Sequence, residues 1–342
     1  MACGLLSERV ARWVSLNTPR VRGLATGPRT RLVPPRVVNG IGLSQRRRFL
    51  CSLLLVGEVR LTILGSGSAG NAAFIESDHT RVLVDCGLSA SQIRLRLAGI
   101  GRSPDRLDAI LITHEHSDHI AGLKTLAGKL NIPVYCNRQT GEEIKHITEA
   151  RLDFRFFETG ASFEVGEIGV ETYSVPHDTN DPVGYLLHTP AGRIGFLTDL
   201  GHTNRMLAHR LREVNVLSLE TNHDVKMLQD DPHRPWALKQ RILGRHGHLS
   251  NVAATEFAQQ IMHADLRQIY CAHLSSECNT PALARDTLRT GLDQIGASHV
   301  NLTVATQSEP CPTYFLRIEL PLKNCDSAAI SKIPVANAIA AR

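Results

Sequence analysis

The residues best suited to chemistry lie in one short stretch, Thr113-His114-Glu115-His116-Ser117-Asp118-His119. Three histidines and an aspartate fall within six residues, directly after an apolar, β-branched run that is typical of a buried strand. Side chains two apart in extended backbone point to one side, so we expect His114 and His116 to face a common point. Asp118 and His119 lie on the turn into the next predicted helix and face a second point. Imidazoles and carboxylates bind divalent transition metals, so this spacing predicts two neighbouring metal ions that share one loop.

Three further ligand-type residues stand at the ends of other predicted strands, each directly after an apolar run: His177, Asp199 and His273. A single histidine or aspartate in such a place is most often a cap or turn residue. Together with the histidine loop, however, they make seven donors that could line one edge of a sheet.

The elements that must hold these donors begin at Val59, where an ordered pattern of short apolar runs and helical segments starts. Strands are predicted at residues 59–64, 72–76, 82–84, 109–112, 134–136, 170–175, 194–197, 214–219 and 268–271, and near residues 304 and 314. Helices are predicted at residues 89–97, 119–130, 139–147, 203–211, 251–262 and 281–292. Hairpin turns are expected at Gly166-Glu167 and Ala191-Gly192. Residues 222–247 interrupt the pattern as a charged, proline-bearing excursion.

The first 58 residues differ in composition from the rest of the chain. They are rich in arginine and poor in acids, which is typical either of an organelle-targeting presequence or of an extension that does not fold. We therefore expect one folded domain over residues 59–324, long enough to bury a sizeable core. The residues after it, 325–342, are small and polar and are expected to form a flexible tail.

The net charge of +5 is unevenly distributed. Residues 1–60 contain 11 Lys and Arg and 2 acids, whereas residues 61–342 contain 27 basic and 31 acidic side chains, so the folded body is not predicted to be basic. The eight cysteines form no C-x-x-C pair, which indicates reduced cysteines and a cytoplasmic location, or an organelle if the leader is a transit peptide. No apolar run reaches the roughly 18–20 residues that cross a bilayer, so no membrane association is expected.

The order of these motifs resembles that of the metallo-β-lactamase-fold hydrolases, over about residues 59–320. The resemblance implies an α/β (α+β) fold, a four-layer αββα sandwich with metals at the open edge between two sheets. It also implies a distribution of ligands. One ion would be held by His114, His116 and His177, and the other by Asp118, His119 and His273, with Asp199 bridging. Asp85, at the end of an early strand, would orient the histidine loop.

Two further residues narrow the resemblance within this superfamily. Glu220 ends a predicted strand and His248 begins a predicted helix, and both resemble the motifs that form a proton-relay pair in RNase Z, the tRNA 3′-end endonuclease. A thioester hydrolase of the glyoxalase II type is not expected to carry that pair, whereas phosphodiester cleavage needs a proton for the departing oxygen. The segments 65–71, 220–224 and 247–251 are similar to the YycJ/WalJ-type exonuclease group, which implies a 5′→3′ DNA exonuclease. The long arm with which RNase Z grips tRNA is not evident.

Candidate substrate contacts come from several loops. The glycine-serine loop after the first strand could offer Ser66, Ser68 and Asn71 to a terminal phosphate, although an ordinary tight turn explains it equally well. Further candidates follow later strands: Asn222, His223 and Ser275. The excursion carries basic residues and one ring, which suit phosphate contacts and stacking, although a solvated helix face is the more common explanation: Lys226, Arg234, Trp236, Lys239, Arg241 and Arg245.

The sequence therefore predicts a metal-dependent phosphodiester hydrolase with DNA as its nucleic acid substrate. Its catalytic residues are expected to be Asp118, Glu220 and His248, acting with a hydroxide activated by two divalent ions. A donor set without thiolate suits Zn²⁺ or Mn²⁺. The alternatives are an RNase Z-like ribonuclease, a cyclic phosphodiesterase, a thioester or lactone hydrolase, or a metalloprotein without activity.

Overall fold

Two β-sheets form the centre of the structure, a computed structural model that describes residues 57–317. The first sheet contains β1 (Glu58–Gly65), β2 (Ala72–Glu76), β3 (Arg81–Val84), β4 (Ala109–Leu111), β5 (Val134–Asn137), β6 (Phe154–Phe157) and β14 (Tyr314–Arg317). The second sheet contains β7 (Ser162–Val165), β8 (Ile168–Ser174), β9 (Val183–Thr189), β10 (Gly192–Leu197), β11 (Val216–Glu220), β12 (Gln268–Ala272) and β13 (Asn301–Val304). A short 3₁₀ turn lies at Pro104–Arg106, and the α-helices are α1 (Ala90–Gly99), α2 (Ser117–Ile120), α3 (Leu123–Leu130), α4 (Arg138–Thr148), α5 (Arg205–Leu211), α6 (Val225–Asp230), α7 (Trp236–Leu243), α8 (Asn251–Gln260) and α9 (Pro281–Gln294).

Parallel pairing brings the strand ends that matter to one edge of each sheet. The first sheet has the order β14-β1-β2-β3-β4-β5-β6, with β3 to β6 parallel. The second has the order β13-β12-β11-β10-β9-β8-β7, with β10 to β13 parallel. Since β8 and β10 are both antiparallel to β9, β8 runs in the same direction as β10. The loops after β3, β4, β8, β10 and β12 therefore open at the carboxyl ends of their strands, where α/β folds bind ligands.

Three apolar layers hold the sheets and helices together. Alternate residues of a strand point to opposite faces, and on β4 Leu111 packs between the sheets while Ile110 packs under the helices. The first sheet is covered by α1, α3 and α4, and the second by α5, α8 and α9. Three buried clusters between four layers make an αββα sandwich, so the predicted fold class is confirmed.

One predicted helix is divided in two. The sequence predicted a single helix over residues 119–130, but α2 ends at Ile120 and α3 starts at Leu123. Gly122 lies at the break and donates its N–H to the carbonyl of Cys86 at 2.8 Å. A Cβ at this position would stand 2.4 Å from the carbonyl oxygen of Leu88, so only glycine permits the approach. The break lets the loop after β3 pack directly against the histidine loop.

Other predicted elements agree closely with the structure. Ser89 caps α1 by accepting from the N–H of Gln92, and the turn at Gly166-Glu167 joins β7 to β8. The predicted tail lies outside the described residues, as does the predicted leader apart from its last two residues, so both stay predictions. None of the helices described between residues 57 and 317 combines the length and apolar character needed to cross a bilayer.

Candidate metal centre and active site

Three of the predicted site residues have left-handed backbone, which non-glycine residues seldom adopt. Asp85, Asp199 and His273 have φ angles of 59°, 58° and 55°. Each such residue costs on the order of 1 kcal/mol or more, and persists only where the surrounding structure holds it. All three stand just after a strand, where the sharp turn keeps their side chains at the sheet edge.

Asp85 organises the histidine loop. Its Oδ1 accepts from the N–H of Thr113 at 2.9 Å and from the Thr113 hydroxyl at 3.0 Å, and its Oδ2 lies 2.8 Å from Nδ1 of His119. Because the Thr113 hydroxyl donates its proton to Asp85, it accepts from Nδ1 of His114 at 3.0 Å. In the neutral rings the protons of His114 and His119 are thus held at Nδ1, and the lone pairs that a metal would use lie on Nε2.

The first candidate metal cluster contains His114, His116 and His177. Nδ1 of His116 lies 3.2 Å from Nε2 of His114 and 3.4 Å from Nε2 of His177. His177 donates from Nδ1 to the carbonyl of Gly247 at 3.1 Å, a tautomer in which the neutral ring carries its lone pair on Nε2. Burial, together with the neighbouring imidazoles, lowers the pKa of His114 and of His116, which favours the neutral rings that bind metal. Nitrogen lone pairs this close repel one another, and a cation between them removes the repulsion.

The second candidate cluster contains Asp118, His119 and His273, with Asp199 beside it. Oδ2 of Asp118 lies 3.4 Å from Nε2 of His119 and 3.3 Å from Nε2 of His273. Asp199 lies between the clusters, with Oδ2 at 3.3 Å from Nε2 of His119 and Oδ1 at 3.9 Å from Nε2 of His177. Its Oδ2 is buried and makes no hydrogen bond within residues 57–317. Burying a carboxylate oxygen without a partner costs free energy, so this atom is suited to the role of a metal ligand between the two clusters.

The carboxylates give the second cluster a strongly negative field. Burial works against protonation of His273, but Asp199, Asp118 and Glu220 outweigh it and raise its pKa to about 10. The pKa of His119 is raised in the same way, against burial, by Asp85 and Asp199. A field that attracts a proton this strongly also attracts a divalent cation, so the donor set fits the predicted metal.

Glu220 connects the second cluster to His248. Its Oε1 lies 2.8 Å from Nδ1 of His248 and 3.0 Å from Nδ1 of His273, while its Oε2 accepts from the backbone N–H groups of Leu200 and Leu249. All of these contacts occupy the carboxylate, so Glu220 fits a positioning group better than a metal ligand. Burial opposes the charged form of His248, but Glu220 overcomes it and raises the pKa of that imidazole. A raised pKa favours the imidazolium, which is the form that a general acid needs.

The sequence of the chain matches known proteins over most of this region. Residues 80–273 match the beta-lactamase superfamily domain. The chain is 34% identical over 240 residues to exodeoxyribonuclease YycJ of Bacillus anthracis, covering 70% of this chain and 90% of that relative. It is 38% identical over 239 residues to exodeoxyribonuclease WalJ of Streptococcus pneumoniae, covering 69% of this chain and 88% of that relative. The chain belongs to the metallo-β-lactamase-fold superfamily.

The solved structures agree on the fold. The metallo-β-lactamase-fold protein YhfI from Bacillus subtilis superposes with a TM-score of 0.58 at 15% sequence identity, covering 75% of this chain and 99% of that protein. This likeness concerns the fold alone. The predicted resemblance to the metallo-β-lactamase-fold superfamily is confirmed.

A cavity of about 290 Å³ opens over the two clusters, as expected for this superfamily; we call it the active-site cavity. Its lining includes His116, Asp118, Asp199, His248 and His273, and beyond them Ser68, Asp178, Asn222, Arg234, Leu238, Arg241, Ile242, Gly247 and Ser275. Larger cavities, of about 540 and 690 Å³, lie beside Glu76 and beside α5. Neither contains a candidate ligand cluster, so volume alone does not identify the site.

The predicted substrate contacts fall into two groups. Ser68, Asn222 and Ser275 line the active-site cavity. The other three do not line it and are buried: Ser66, Asn71 and His223.

The buried polar residues of the glycine-serine loop contact the metal clusters instead. The hydroxyl of Ser66 accepts from the N–H of His273 at 2.8 Å, and Nδ2 of Asn71 lies 3.3 Å from Oδ2 of Asp118. These contacts make the loop a support for two ligands. His223 is 1% exposed, and burial lowers its pKa to about 4.

Sequence reasoning missed two residues that orient ligands. Thr113 fixes His114, and its position directly before the histidine was an available signal. Gly247 fixes His177 across 70 residues, and nothing in the sequence indicates that contact. A Cβ on Gly247 would stand 2.2 Å from the carbonyl oxygen of Ile242, so the position requires glycine.

Proposed function

We propose that the protein is a metal-dependent exodeoxyribonuclease that digests DNA in the 5′→3′ direction. The observation that carries the proposal is that seven donors and the Glu220–His248 pair lie in contacting clusters, from which His116, Asp118, Asp199, His248 and His273 line one cavity. The curated relatives that align over about nine-tenths of their length and are named exodeoxyribonucleases support the same activity.

Two divalent ions, Zn²⁺ or Mn²⁺, fit the donors that the chain offers. One ion would be held by His114, His116 and His177, and the other by Asp118, His119 and His273, with Asp199 available to both. When bound, such ions act as Lewis acids on the phosphodiester and lower the pKa of water.

The residues around the ions orient the reactants and move a proton. Burial disfavours ionisation of Asp118, but His119 and His273 hold its pKa below the usual range, so it accepts the hydrogen bond of the attacking water. Glu220 holds His248 by Nδ1, so that Nε2–H faces the cavity. His248 gives this proton to the departing oxygen, which needs it because an alkoxide is a poor leaving group.

A nuclease assay tests the activity and its polarity together. The chelated protein is given Mn²⁺ or Zn²⁺ and then DNA that is either 5′-phosphorylated and 3′-blocked, or 5′-blocked and 3′-free. We expect mononucleotides from the first substrate and an intact second substrate. RNA, a cyclic nucleotide and a thioester are assayed in parallel. Hydrolysis of one of these with both DNA substrates intact would overturn the proposal in favour of that substrate.

Replacing one ligand tests the metal assignment. His114→Ala removes a donor of the first cluster, so we expect both the metal content and the nuclease activity to fall at least tenfold, roughly the effect of losing one well-placed ligand contact. Elemental analysis and the DNA assay measure the two quantities. His209→Ala, at an exposed histidine of α5, is the matched control and is expected to change neither. A His114→Ala variant with full metal content and full activity would exclude the site.

A further inference from the structure

Three carboxylates line the active-site cavity, those of Asp118, Asp178 and Asp199, and a polyanionic substrate must be attracted in spite of them. The buried carboxylate of Glu220 lies behind His248. Bound ions offset part of this charge at the cleaved phosphate, but a DNA strand also carries phosphates on either side of it. Cations on the cavity wall are therefore the groups most relevant to how the strand is held.

Most basic residues of the excursion are engaged inside the protein or lie away from the cavity. Lys239 is 7% exposed, and its Nζ donates to the carbonyl of Gln229. The side chain of Arg234 is 18% exposed and pairs with Asp231 at 2.6 Å and Glu277 at 2.7 Å. These contacts leave few N–H donors of Lys239 or Arg234 available to bind a ligand.

Arg241 differs from them. Its side chain is 62% exposed and lines the active-site cavity. It donates from Nε to Oδ2 of Asp178, and within residues 57–317 neither Nη atom makes a hydrogen bond. Asp178 follows His177, and its Oδ1 lies 3.5 Å from Nε2 of that histidine. One carboxylate thus separates the guanidinium from a nitrogen of the first metal cluster.

The geometry of α7 explains why the side chain of Arg241 faces the cavity. Leu238, Arg241 and Ile242 are three and four residues apart and share the face of α7 that lines the cavity. Trp236, at the start of α7, is 61% exposed but is two residues from Leu238, so it projects from another side. The predicted stacking ring is therefore not part of the cavity, whereas the predicted phosphate contact has one well-placed candidate.

We propose that Arg241 binds the DNA phosphate next to the one that is cleaved. This inference rests on the proposed nuclease function. Nε stays with Asp178, which orients the planar group, and the two Nη atoms point a fork of N–H donors at the phosphate oxygens. This contact can form only with a DNA strand that has at least two consecutive phosphates.

The test compares Arg241→Ala with Arg245→Ala in the metal-loaded, full-length protein. Arg245 is exposed, has the same charge and belongs to the same segment, but it does not line the cavity. We expect Arg241→Ala to raise KM for a short single-stranded DNA on the order of tenfold, and to reduce the slope of log(kcat/KM) against log[salt] by roughly 0.7, the value for one phosphate contact. Arg245→Ala should change neither quantity.

Two further measurements separate binding of a second phosphate from a structural effect. Bis(4-nitrophenyl) phosphate carries a single phosphate, so the loss caused by Arg241→Ala should be smaller on this diester than on DNA. Arg241→Lys keeps the charge without the fork, and should restore the salt slope while KM stays raised.

The outcomes distinguish this inference from the proposed function. If the wild-type protein digests DNA and the two alanine variants have equal KM values and salt slopes, the assignment of Arg241 is overturned while the nuclease stands. Equal losses on DNA and on the single-phosphate diester also overturn it, because they indicate a structural role. If the wild-type protein digests no DNA with either metal, the proposed function fails and the inference falls with it.

Discussion

A single carboxylate, that of Glu220, sets the orientation of a metal-ligand candidate and of the proposed acid at the same time. Its Oε1 holds Nδ1 of both His273 and His248, and two backbone N–H groups hold its Oε2. The imidazole of His248 lowers the pKa of Glu220 in spite of complete burial, so the carboxylate stays ionised. The geometry of the metal cluster and the supply of a proton are therefore coupled through one side chain.

Removing the proposed acid tests this arrangement. His248→Asn removes the proton donor but none of the seven proposed metal ligands, so we expect unchanged metal content and a fall in kcat on DNA of about 10²–10³. A 4-nitrophenyl leaving group needs no proton, so the loss on such a diester should be much smaller. The measurements are elemental analysis and kcat on both substrates. Equal losses on the two substrates would contradict the role of His248 as an acid.

At the scale of elements, the loop after β3 and the short helix α2 fix the position of the second cluster. The N–H of Cys86 donates to the carbonyl of His119, and the N–H of Asn71 donates to the carbonyl of Asp118 at 2.7 Å. Gly87 lies in this contact, and a Cβ there would stand 1.5 Å from the carbonyl oxygen of Asp118. Backbone contacts from the loops after β1 and β3 thus act together with the side chains of Asp85 and Asn71 to determine where Asp118 and His119 lie.

Gly87→Ala should separate these two segments. Because the clash is with backbone, which adjusts poorly, we expect a loss of about 1–3 kcal/mol in the free energy of unfolding together with weaker metal binding. Gly99→Ala is the control: Gly99 ends α1 with open space around it, so a change within about 0.5 kcal/mol is expected. Denaturant unfolding and metal titration measure the two effects. A Gly87→Ala protein as stable as the control would refute the importance of this contact.

At the scale of the whole molecule, an ionic network around a buried carboxylate holds together the strand ends of the first sheet opposite the candidate metal clusters. Glu76, 4% exposed at the end of β2, pairs with Arg102 at 2.6 Å, Arg81 at 2.8 Å and Arg60 at 3.3 Å. Burial pushes the pKa of Glu76 upward, but Arg102 and Arg81 outweigh it and hold the pKa below its usual value. The network links β1, β2 and β3 to the loop after α1.

The pH dependence of stability follows from that direction. A carboxyl whose folded-state pKa is depressed contributes stability above its unfolded pKa of roughly 4.3, and loses that contribution as the pH falls through the folded value. We expect Glu76→Gln to destabilise the protein by about 1–3 kcal/mol at pH 7, with a gap to wild type that narrows below about pH 4.

Denaturant unfolding at several pH values measures this gap. Glu58→Gln is the matched control, because Glu58 is partly exposed and pairs with Arg60 and Arg317; its cost should stay below about 1 kcal/mol. A gap between wild type and Glu76→Gln that widens in acid would contradict the proposed direction of the pKa shift.

The sequence by itself determined which residue types could bind metal and where the strands end. The apolar runs before His114, His177, Asp199 and His273 are local signals, because a buried strand must be apolar and the chain must turn in polar residues. The four-layer fold was predictable only through the resemblance to the metallo-β-lactamase-fold superfamily that the order of these motifs carries. In the structure, atoms of residues 118 and 273 approach within 3.3 Å, although their role as metal ligands stays a prediction.

Only the tertiary structure decided which atoms face one another. Contacts between distant segments decide that His116 presents Nδ1, and His177 presents Nε2, to the first candidate metal cluster. Such contacts also bury three predicted substrate contacts: Ser66, Asn71 and His223. They likewise divide the helix at Gly122, and they hold Arg241 at the cavity by Nε alone. Pattern and propensity describe a residue and its near neighbours, whereas tautomer, burial and free hydrogen-bond donors are set by contacts between residues as far apart as Ser66 and His273, 207 positions along the chain.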